Sequence, residues 1–174
     1  MKIGIIGSGE VAKTLAAGFL KHGHEVTLGT REAGKLSDFA TANPKAKIGR
    51  FADAAKFGEV VVLAVKGAVA AKALEAAGAE NLAGKTVIDA TNPLADAPPE
   101  NGVLKYFTNL DSSLMEQLQK QFAEAHFVKA FNSGGRRPWS IRSSRVASLR
   151  CLSLEQRGRK KDGGRNSRSV RLGS

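Results

Sequence analysis

Residues 1–31 constrain the fold more than any other stretch of this chain. Residues 1–6 (MKIGII) are a short, isoleucine-rich run of the kind that forms a strand buried on both faces. A G-x-G-x-x-A turn follows at 7–12, and residues 11–20 then repeat apolar side chains four positions apart on one helical face. Residues 24–29 (HEVTLG) are typical of a second strand. This order predicts a dinucleotide-binding βαβ unit; the alternative is a plain βαβ unit whose glycines only make a turn.

The small residues of this turn each have a physical task. Gly7 permits a tight exit from the strand, and Gly9 lets the backbone approach a pyrophosphate with no Cβ in the way. Ala12 is small enough for the helix to lie close to the sheet. The unpaired N–H groups of the first helical turn, with the positive end of the helix dipole, then face the anion.

The end of the second strand indicates which dinucleotide is bound. An NAD site places Asp or Glu about 20 residues beyond the glycines, where it accepts hydrogen bonds from the adenosine ribose. This sequence has Thr30 and Arg31 there, and Glu32 is the first carboxylate. A hydroxyl and a guanidinium can bind a 2′-phosphate, and Lys35, one helical turn on, adds a second cation. We predict NADP rather than NAD; the alternative is that Arg31 is a solvated loop residue.

Composition excludes several classes of protein. The 174 residues suffice for one domain with a hydrophobic core. Cys151 is the single cysteine, which excludes internal disulfides and thiolate-rich metal sites, and the three histidines show no ligand spacing. The sequence has no 18-residue apolar run and no signal-peptide pattern, so we expect no membrane partner and a cytoplasmic location.

The net charge of +11 is concentrated in the C-terminal part of the chain. Residues 134–174 hold 12 of the 27 Lys and Arg residues and 2 of the 16 Asp and Glu residues, so residues 1–133 carry a net charge of +1. The tail has one aromatic residue, Trp139, and no nucleic-acid-binding module. We predict a single domain over 1–133, a basic, low-complexity, disordered tail over 134–174, and no specific nucleic-acid partner.

Beyond Arg31, helical and strand patterns alternate. Apolar runs predict strands over residues 47–51, 59–66, 85–90 and 126–131, and the run at 59–66 (EVVVLAVK) is the clearest central strand after the first. Helices are predicted over 32–42, 67–80 and 112–125, with a helical turn at 52–56 and an irregular segment at 95–108. This alternation predicts an α/β fold with a doubly wound parallel sheet, of the Rossmann NAD(P)-binding type.

In such a sheet a ligand lies across the carboxyl ends of the strands, where the winding reverses. The loops expected at that edge are 7–12, 30–31, 65–67, 89–93 and 130–133. We expect the adenosine end of the dinucleotide near Thr30 and Arg31, and the nicotinamide near residues 91–93.

Four stretches of the chain resemble the NADPH-dependent reductases typified by coenzyme F(420)H2:NADP oxidoreductase, the deazaflavin-linked enzymes. They are KIGIIGSGEVAKTLAAGFLKHGHEVTLGTRE, VVVLAVK, DATNPL and VKAFNS, and the resemblance covers residues 1–133. It implies NADP(H) bound by the glycine turn, by Thr30 and Arg31, and by backbone near residues 64–65 and 90–93. Together with the loops above, the candidate cofactor-binding residues are Gly7, Ser8, Gly9, Glu10, Val11, Ala12, Thr30, Arg31, Lys35, Ala64, Val65, Lys66, Ala90, Asn92 and Pro93.

The resemblance also implies an activity. It predicts hydride transfer between NADPH and a small acceptor stacked on the nicotinamide, either deazaflavin coenzyme F(420), a flavin or another small molecule. The cofactors carry such chemistry, so no catalytic side chain is expected, and the sequence shows no catalytic triad, Cys/His pair or metal constellation. The alternatives are a non-catalytic NADPH-binding module and a truncated, inactive member of the family. A homodimer is compatible with either.

The tail departs from this resemblance in a way that suggests a shifted reading frame. Family members continue past the KAFN strand with a Val-Gly turn, a Met-Val-Asn-Pro segment and a further strand and helix, whereas this chain enters GGRRPW and loses its apolar periodicity. If the Pro138 codon ends in A, the shifted frame reads ATG across Trp139 and can continue as Met-Val-Asn-Pro-Gln-Phe-Lys.

The spacing agrees, because Ser133 and that ATG are separated by one base fewer than five codons. A second lost base near Leu154 and Glu155 would restore an amphipathic helix. Our hypothesis is that single-base losses in the coding sequence produced this tail. Without the missing elements a sheet face and edge would lie open, which predicts a marginally stable chain.

Overall fold

Six strands and five α-helices make up the part of the chain that the computed structural model describes, residues 1–109 and 111–131. The strands are β1 (Lys2–Ile6), β2 (Glu25–Gly29), β3 (Lys47–Gly49), β4 (Val60–Leu63), β5 (Thr86–Asp89) and β6 (His126–Lys129). The helices are α1 (Glu10–Lys21), α2 (Ser37–Ala42), α3 (Phe51–Phe57), α4 (Ala70–Ala77) and α5 (Leu114–Gln121). None of the helices in this part of the chain has the length and apolarity needed to cross a membrane.

The strands form one parallel sheet in the order β3-β2-β1-β4-β5-β6. Ile3 of β1 pairs with Val26 of β2 on one side and with Val60 of β4 on the other. The chain therefore winds outward from β1 in both directions, and the winding reverses between β1 and β4. The expected doubly wound α/β sheet is confirmed.

Both faces of this sheet are buried, which explains the uninterrupted apolar runs of its central strands. Along β4, Val61 and Leu63 pack into one cluster with α4 and α5, while Val62 packs into a second cluster with α1 and α2. All three side chains are fully buried. The two clusters are the hydrophobic cores above and below the sheet, and they fix the strand ends from which the loops of the site emerge.

Two element boundaries differ from expectation because local backbone chemistry overrides the apolar pattern. The third strand, expected over 47–51, ends at Gly49, and Phe51 begins α3 instead. The Asp53 carboxylate accepts a hydrogen bond from the Arg50 N–H at 2.8 Å, which stabilises that helix start. The helix expected over 67–80 is a 3₁₀ turn followed by α4, and the next residue is Gly78, whose positive φ of +85° glycine adopts readily.

The remaining elements are shorter than expected. The strand expected over 59–66 spans Val60–Leu63, and the one expected over 126–131 ends at Lys129. The segment expected to be irregular, 95–108, contains parts of a β-hairpin described below. The predicted domain boundary at Ser133, and the predicted disorder and altered frame of 134–174, lie outside the described residues.

Candidate dinucleotide-binding site

A cleft of ≈ 880 Å³ opens at the carboxyl ends of β1, β2, β4 and β5. It lies where the winding reverses, the position at which doubly wound sheets bind ligands. Thirteen of the fifteen candidate residues line it: Gly7, Ser8, Gly9, Glu10, Val11, Thr30, Arg31, Lys35, Ala64, Val65, Lys66, Ala90 and Asn92. The structure thus brings together loops that are far apart in the sequence.

Ala12 and Pro93 are the two candidates that do not line the cleft. Ala12 is completely buried between α1 and the sheet, 3.4 Å from the place where a Cβ on Gly7 would lie. Its position agrees with close helix–sheet packing and places it behind the binding surface. Pro93 starts the hairpin instead, and its carbonyl accepts the Phe107 N–H at 2.9 Å.

The two glycines of the turn have different surroundings. Gly7 has a φ of +145°, and a Cβ there would lie 2.2 Å from the Ala64 carbonyl oxygen, so the protein's own packing demands glycine. Gly9 has an ordinary φ of −82°, and a Cβ there would have no protein atom within 4 Å. Packing therefore does not require glycine at position 9, and the open space beside it suits the backbone approach of a diphosphate.

The amino terminus of α1 faces this space without a side-chain cap. Gly9 is the N-cap residue, and it carries no side chain that could accept from the first helical N–H groups. Those groups have no partner within the helix and are therefore available to an anion. The Glu10 carboxylate beside them is almost fully exposed and lies 3.5 Å from Lys13 Nζ, which offsets its charge.

Beyond β2, Thr30 holds the turn that presents Arg31. The Thr30 hydroxyl donates to the Glu32 carbonyl at 3.1 Å and accepts the Glu32 N–H at 3.2 Å, and the residue is only 5 % exposed. The sequence predicts that this hydroxyl binds a 2′-phosphate. In the structure its hydrogen bonds are made to the backbone of Glu32 and stabilise the turn. Arg31, by contrast, is exposed at the cleft and forms no ion pair within the described residues.

The positive charge at the Arg31 end of the cleft is smaller than the sequence predicts. Lys35, expected to be a second phosphate-binding cation, forms an ion pair of 2.9 Å with Glu32. The hydrogen bond and charge of Lys35, and then the charge of Arg31, hold the pKa of Glu32 below its ordinary value. Glu32 is therefore ionised at neutral pH and offsets Lys35.

At the other end of the cleft, a buried carboxylate fixes the loop after β5. Asp89 has no solvent exposure, and its Oδ1 accepts the Thr91 N–H at 2.9 Å and the Thr91 hydroxyl at 2.7 Å. Its Oδ2 accepts from Lys129 Nζ at 2.8 Å, and Lys129 also donates to the Thr91 carbonyl. The DATNP and KAFN motifs therefore meet in one polar network, which holds the loop that leads to Asn92.

A β-hairpin follows this loop and forms an apolar wall of the cleft. Leu94 bridges to Tyr106, and the turn at Asn101 and Gly102 has positive φ at both residues, as type I′ turns do. Leu94 and Leu104 line the cleft. An exposed ion pair of 3.4 Å between Lys66 and Asp96 joins the hairpin to the end of β4.

The cleft is also lined by Gly67, from the loop expected at 65–67, and by eleven residues that sequence reasoning missed, which are Glu32, Phe51, Ala68, Val69, Lys72, Ala73, Ala76, Leu94, Ala95, Asp96 and Leu104. Most come from the first turns of α4 and from the hairpin. The available signals were the i, i+4 spacing of Lys72 and Ala76, and the Asn-Gly dipeptide at 101–102, which is typical of a hairpin turn.

The lining favours binding and orientation rather than side-chain catalysis. The described residues contain no cluster of three or more His, Cys, Asp and Glu that could hold a metal ion. Glycine backbone and a helix terminus suit a diphosphate, an exposed guanidinium suits a phosphate monoester, and apolar walls suit flat rings.

Comparisons with known proteins point to the same chemistry. Residues 2–93 match the model of the family described as NADP oxidoreductase, coenzyme F(420)-dependent. A crystal structure from an Arthrobacter species, described as an F(420)-dependent NADP reductase, is 39% identical with a TM-score of 0.71. The match covers 78% of this chain and 64% of that one, so the chain spans less than two thirds of the Arthrobacter protein. No curated protein matches.

More distant structures share the fold alone. A hypothetical protein from Sinorhizobium meliloti is 23% identical, with a TM-score of 0.60 over 75% of this chain and 60% of that one. An Aspergillus terreus reductive aminase in complex with NADPH4 is 20% identical, with a TM-score of 0.52 over 74% of this chain and 39% of that one. The family match extends over more than half of the chain and includes the glycine turn, the Arg31 loop and the DATNP loop. This chain belongs to the family of coenzyme F(420)-dependent NADP oxidoreductases.

Proposed function

We propose that this cleft binds NADP(H), with the diphosphate over the turn at 7–11 and the 2′-phosphate at Arg31. The observation that carries the proposal is Arg31 itself, which lies just beyond β2, lines the cleft and forms no ion pair within the described residues. A guanidinium binds a phosphate monoester with two parallel hydrogen bonds, whereas it gains little from a ribose hydroxyl. The site therefore favours NADP(H) over NAD(H).

The proposed activity is hydride transfer between NADPH and a small planar acceptor, with deazaflavin coenzyme F(420) or a flavin as the candidates. Bound NADPH supplies the hydride, and the chain's own residues orient the rings and exclude water. The network of Asp89, Thr91 and Lys129 holds the loop beside the nicotinamide end, and Leu94 and Leu104 provide an apolar surface. The family, and the Arthrobacter protein's description, support the choice of acceptor.

Titration of the full chain with NADPH and NADH tests the binding step. We expect NADPH to bind at least tenfold more tightly, and Arg31→Gln to weaken NADPH about 10- to 100-fold while changing NADH less than about twofold. Lys45→Gln, an exposed lysine in the turn before β3, is the matched control. Equal affinity for the two cofactors in the unaltered chain would contradict the proposal.

A non-catalytic NADPH-binding module is the second candidate, since the chain spans 64% of the Arthrobacter protein. An inactive, truncated family member would behave in the same way. Mixing the chain with NADPH and then with deazaflavin or FMN separates these candidates from an enzyme, because only the enzyme bleaches the acceptor's absorbance. We also propose a small-molecule redox partner, a homodimer and a cytoplasmic location. The single cysteine is in keeping with the reducing cytoplasm.

A further inference from the structure

The adenosine end of the cleft has a second wall that the sequence did not reveal. β3 lies beside β2 in the sheet, and Phe51 begins α3 immediately after it. Phe51 lines the cleft together with Lys72, Ala73 and Ala76 from α4. Arg31 and Lys35 line the same cleft from the loop after β2. Phe51 packs in one buried cluster with Ala73, and a Cβ on Gly29 at the end of β2 would lie 2.9 Å from the Phe51 Cα, so α3 links α4 to the end of the cleft where Arg31 lies.

The cations of this end differ in how they are engaged. Lys35 is paired with the ionised Glu32 at 2.9 Å, so the two together contribute little net charge. Lys72 is exposed, and within the described residues it forms neither an ion pair nor a hydrogen bond. Among the described residues that line this end of the cleft, Arg31 and Lys72 are therefore the two cations that form no ion pair.

The charge of a 2′-phosphate exceeds what one such cation can balance. A phosphate monoester carries about −1.5 to −2 charges at pH 7, whereas Arg31 supplies one positive charge and Glu32 lies next to it in the chain. Resting on the proposed binding of NADP(H), we infer that Lys72 of α4 is a second determinant of NADP selectivity, contacting the 2′-phosphate from the part of the cleft that α4 forms. Lys72 in this role replaces the contribution that Lys35 loses to Glu32.

Binding of four ligands to the full chain tests this inference. NADPH and adenosine 2′,5′-bisphosphate carry the 2′-phosphate, whereas NADH and 5′-AMP lack it. We expect Lys72→Gln to weaken the first two about 3- to 30-fold and the second two less than about twofold. Lys72→Arg should keep the discrimination, and Lys21→Gln, an exposed lysine in the last turn of α1, should change none of the four affinities.

Three results would overturn the inference. An unchanged ratio of NADPH to NADH affinity in Lys72→Gln shows that Lys72 does not contact the phosphate. Equal weakening of all four ligands shows contact with the diphosphate or adenine instead. If the double variant Arg31→Gln, Lys72→Gln discriminates no less than Arg31→Gln alone, Lys72 adds nothing. Failure of the unaltered chain to bind NADPH would instead refute the proposed function, which is measured separately in the same titrations.

Discussion

The Nζ atom of Lys129 lies 2.8 Å from Oδ2 of Asp89, at the carboxyl ends of the paired strands β6 and β5. The carboxylate is fully buried, whereas the lysine side chain is 30 % exposed. Removing the cation would leave a buried charge whose remaining hydrogen bonds, among the described residues, come from Thr91. This contact therefore stabilises both the outer strand and the loop beside the nicotinamide end of the cleft.

Lys129→Met should lower the free energy of unfolding by about 1–3 kcal/mol, because Asp89 loses its charged partner while its two bonds from Thr91 remain. Denaturant unfolding measures this change. Lys105→Met is the control, since the ion pair between Lys105 and Glu100 is exposed and its loss should cost less than about 0.5 kcal/mol. Equal losses of unfolding free energy in the two variants would show that the buried ion pair stabilises the protein no more than the exposed one.

Gly9→Ser should separate stability from ligand binding. A Ser side chain at an N-cap accepts a helical N–H, so the melting temperature should stay the same or rise slightly. The same side chain would occupy the space proposed for the diphosphate, so NADPH affinity should fall at least about tenfold. Calorimetric melting and NADPH titration of one preparation give both values.

Gly7→Ala is the matched comparison for that experiment. Its Cβ would lie 2.2 Å from the Ala64 carbonyl, so both the melting temperature and NADPH affinity should fall. If Gly9→Ser bound NADPH as well as the unaltered chain, the space beside Gly9 would not be the diphosphate site.

Much of the fold was predictable because its signals are local. Strands buried on both faces appear as continuous apolar runs, and the spacing from the glycine turn to Arg31 follows from the lengths of α1 and β2. The walls of the site were not predictable in the same way. Lys72 lies on α4, which starts after a 3₁₀ turn that the apolar pattern does not predict, and Leu104 lies in a hairpin that is hydrogen-bonded to the residues after the DATNP loop. The ion pair between Lys35 and Glu32 was not predicted, although its i, i+3 spacing permits one on a helix.

Thr27→Val should stabilise the protein. The Thr27 hydroxyl on β2 is buried and finds no hydrogen-bond partner within the described residues. Replacing it with a methyl group of similar shape removes an unsatisfied polar atom, and we expect a gain of about 0.5–2 kcal/mol in urea unfolding. Thr41→Val serves as the control, because the Thr41 hydroxyl is exposed and already donates to the Ser37 carbonyl. A loss of stability in Thr27→Val would indicate that the hydroxyl has a partner in solution.

The stability of α5 should depend on pH through Glu116. Hydrogen bonds from the Ser113 backbone N–H and hydroxyl lower the pKa of Glu116 in the folded protein. Its stabilising contribution is therefore complete above the unfolded-state pKa and is lost as the pH falls through the lower folded-state pKa. Glu116→Gln keeps a capping partner without a titrating group, so its melting temperature should change less than that of the unaltered chain between about pH 6 and pH 3. Parallel curves for the two proteins would contradict this assignment.

We expect that restoring the two bases proposed to be missing from the coding sequence gives a more stable protein than the present chain. We propose that residues 134–174 stand where a further strand and helix belong. Restoring four or five buried aliphatic side chains, at roughly 1.5–3 kcal/mol each, would be a large fraction of a typical stability of about 5–15 kcal/mol. Melting temperatures of both proteins, with and without NADPH, provide the measurement. If the corrected protein melted at the same temperature and gained no more from NADPH, the altered frame would have no physical consequence.

The central position of β1 has a consequence for biosynthesis. Because Ile3 pairs with Val60 as well as with Val26, β1 leaves the ribosome before both of its neighbours and cannot complete its hydrogen bonding until β4 has emerged. The glycine turn after β1 is thus synthesised before β4 but acquires its packing only afterwards, since Gly7 packs against Ala64, the residue that follows β4.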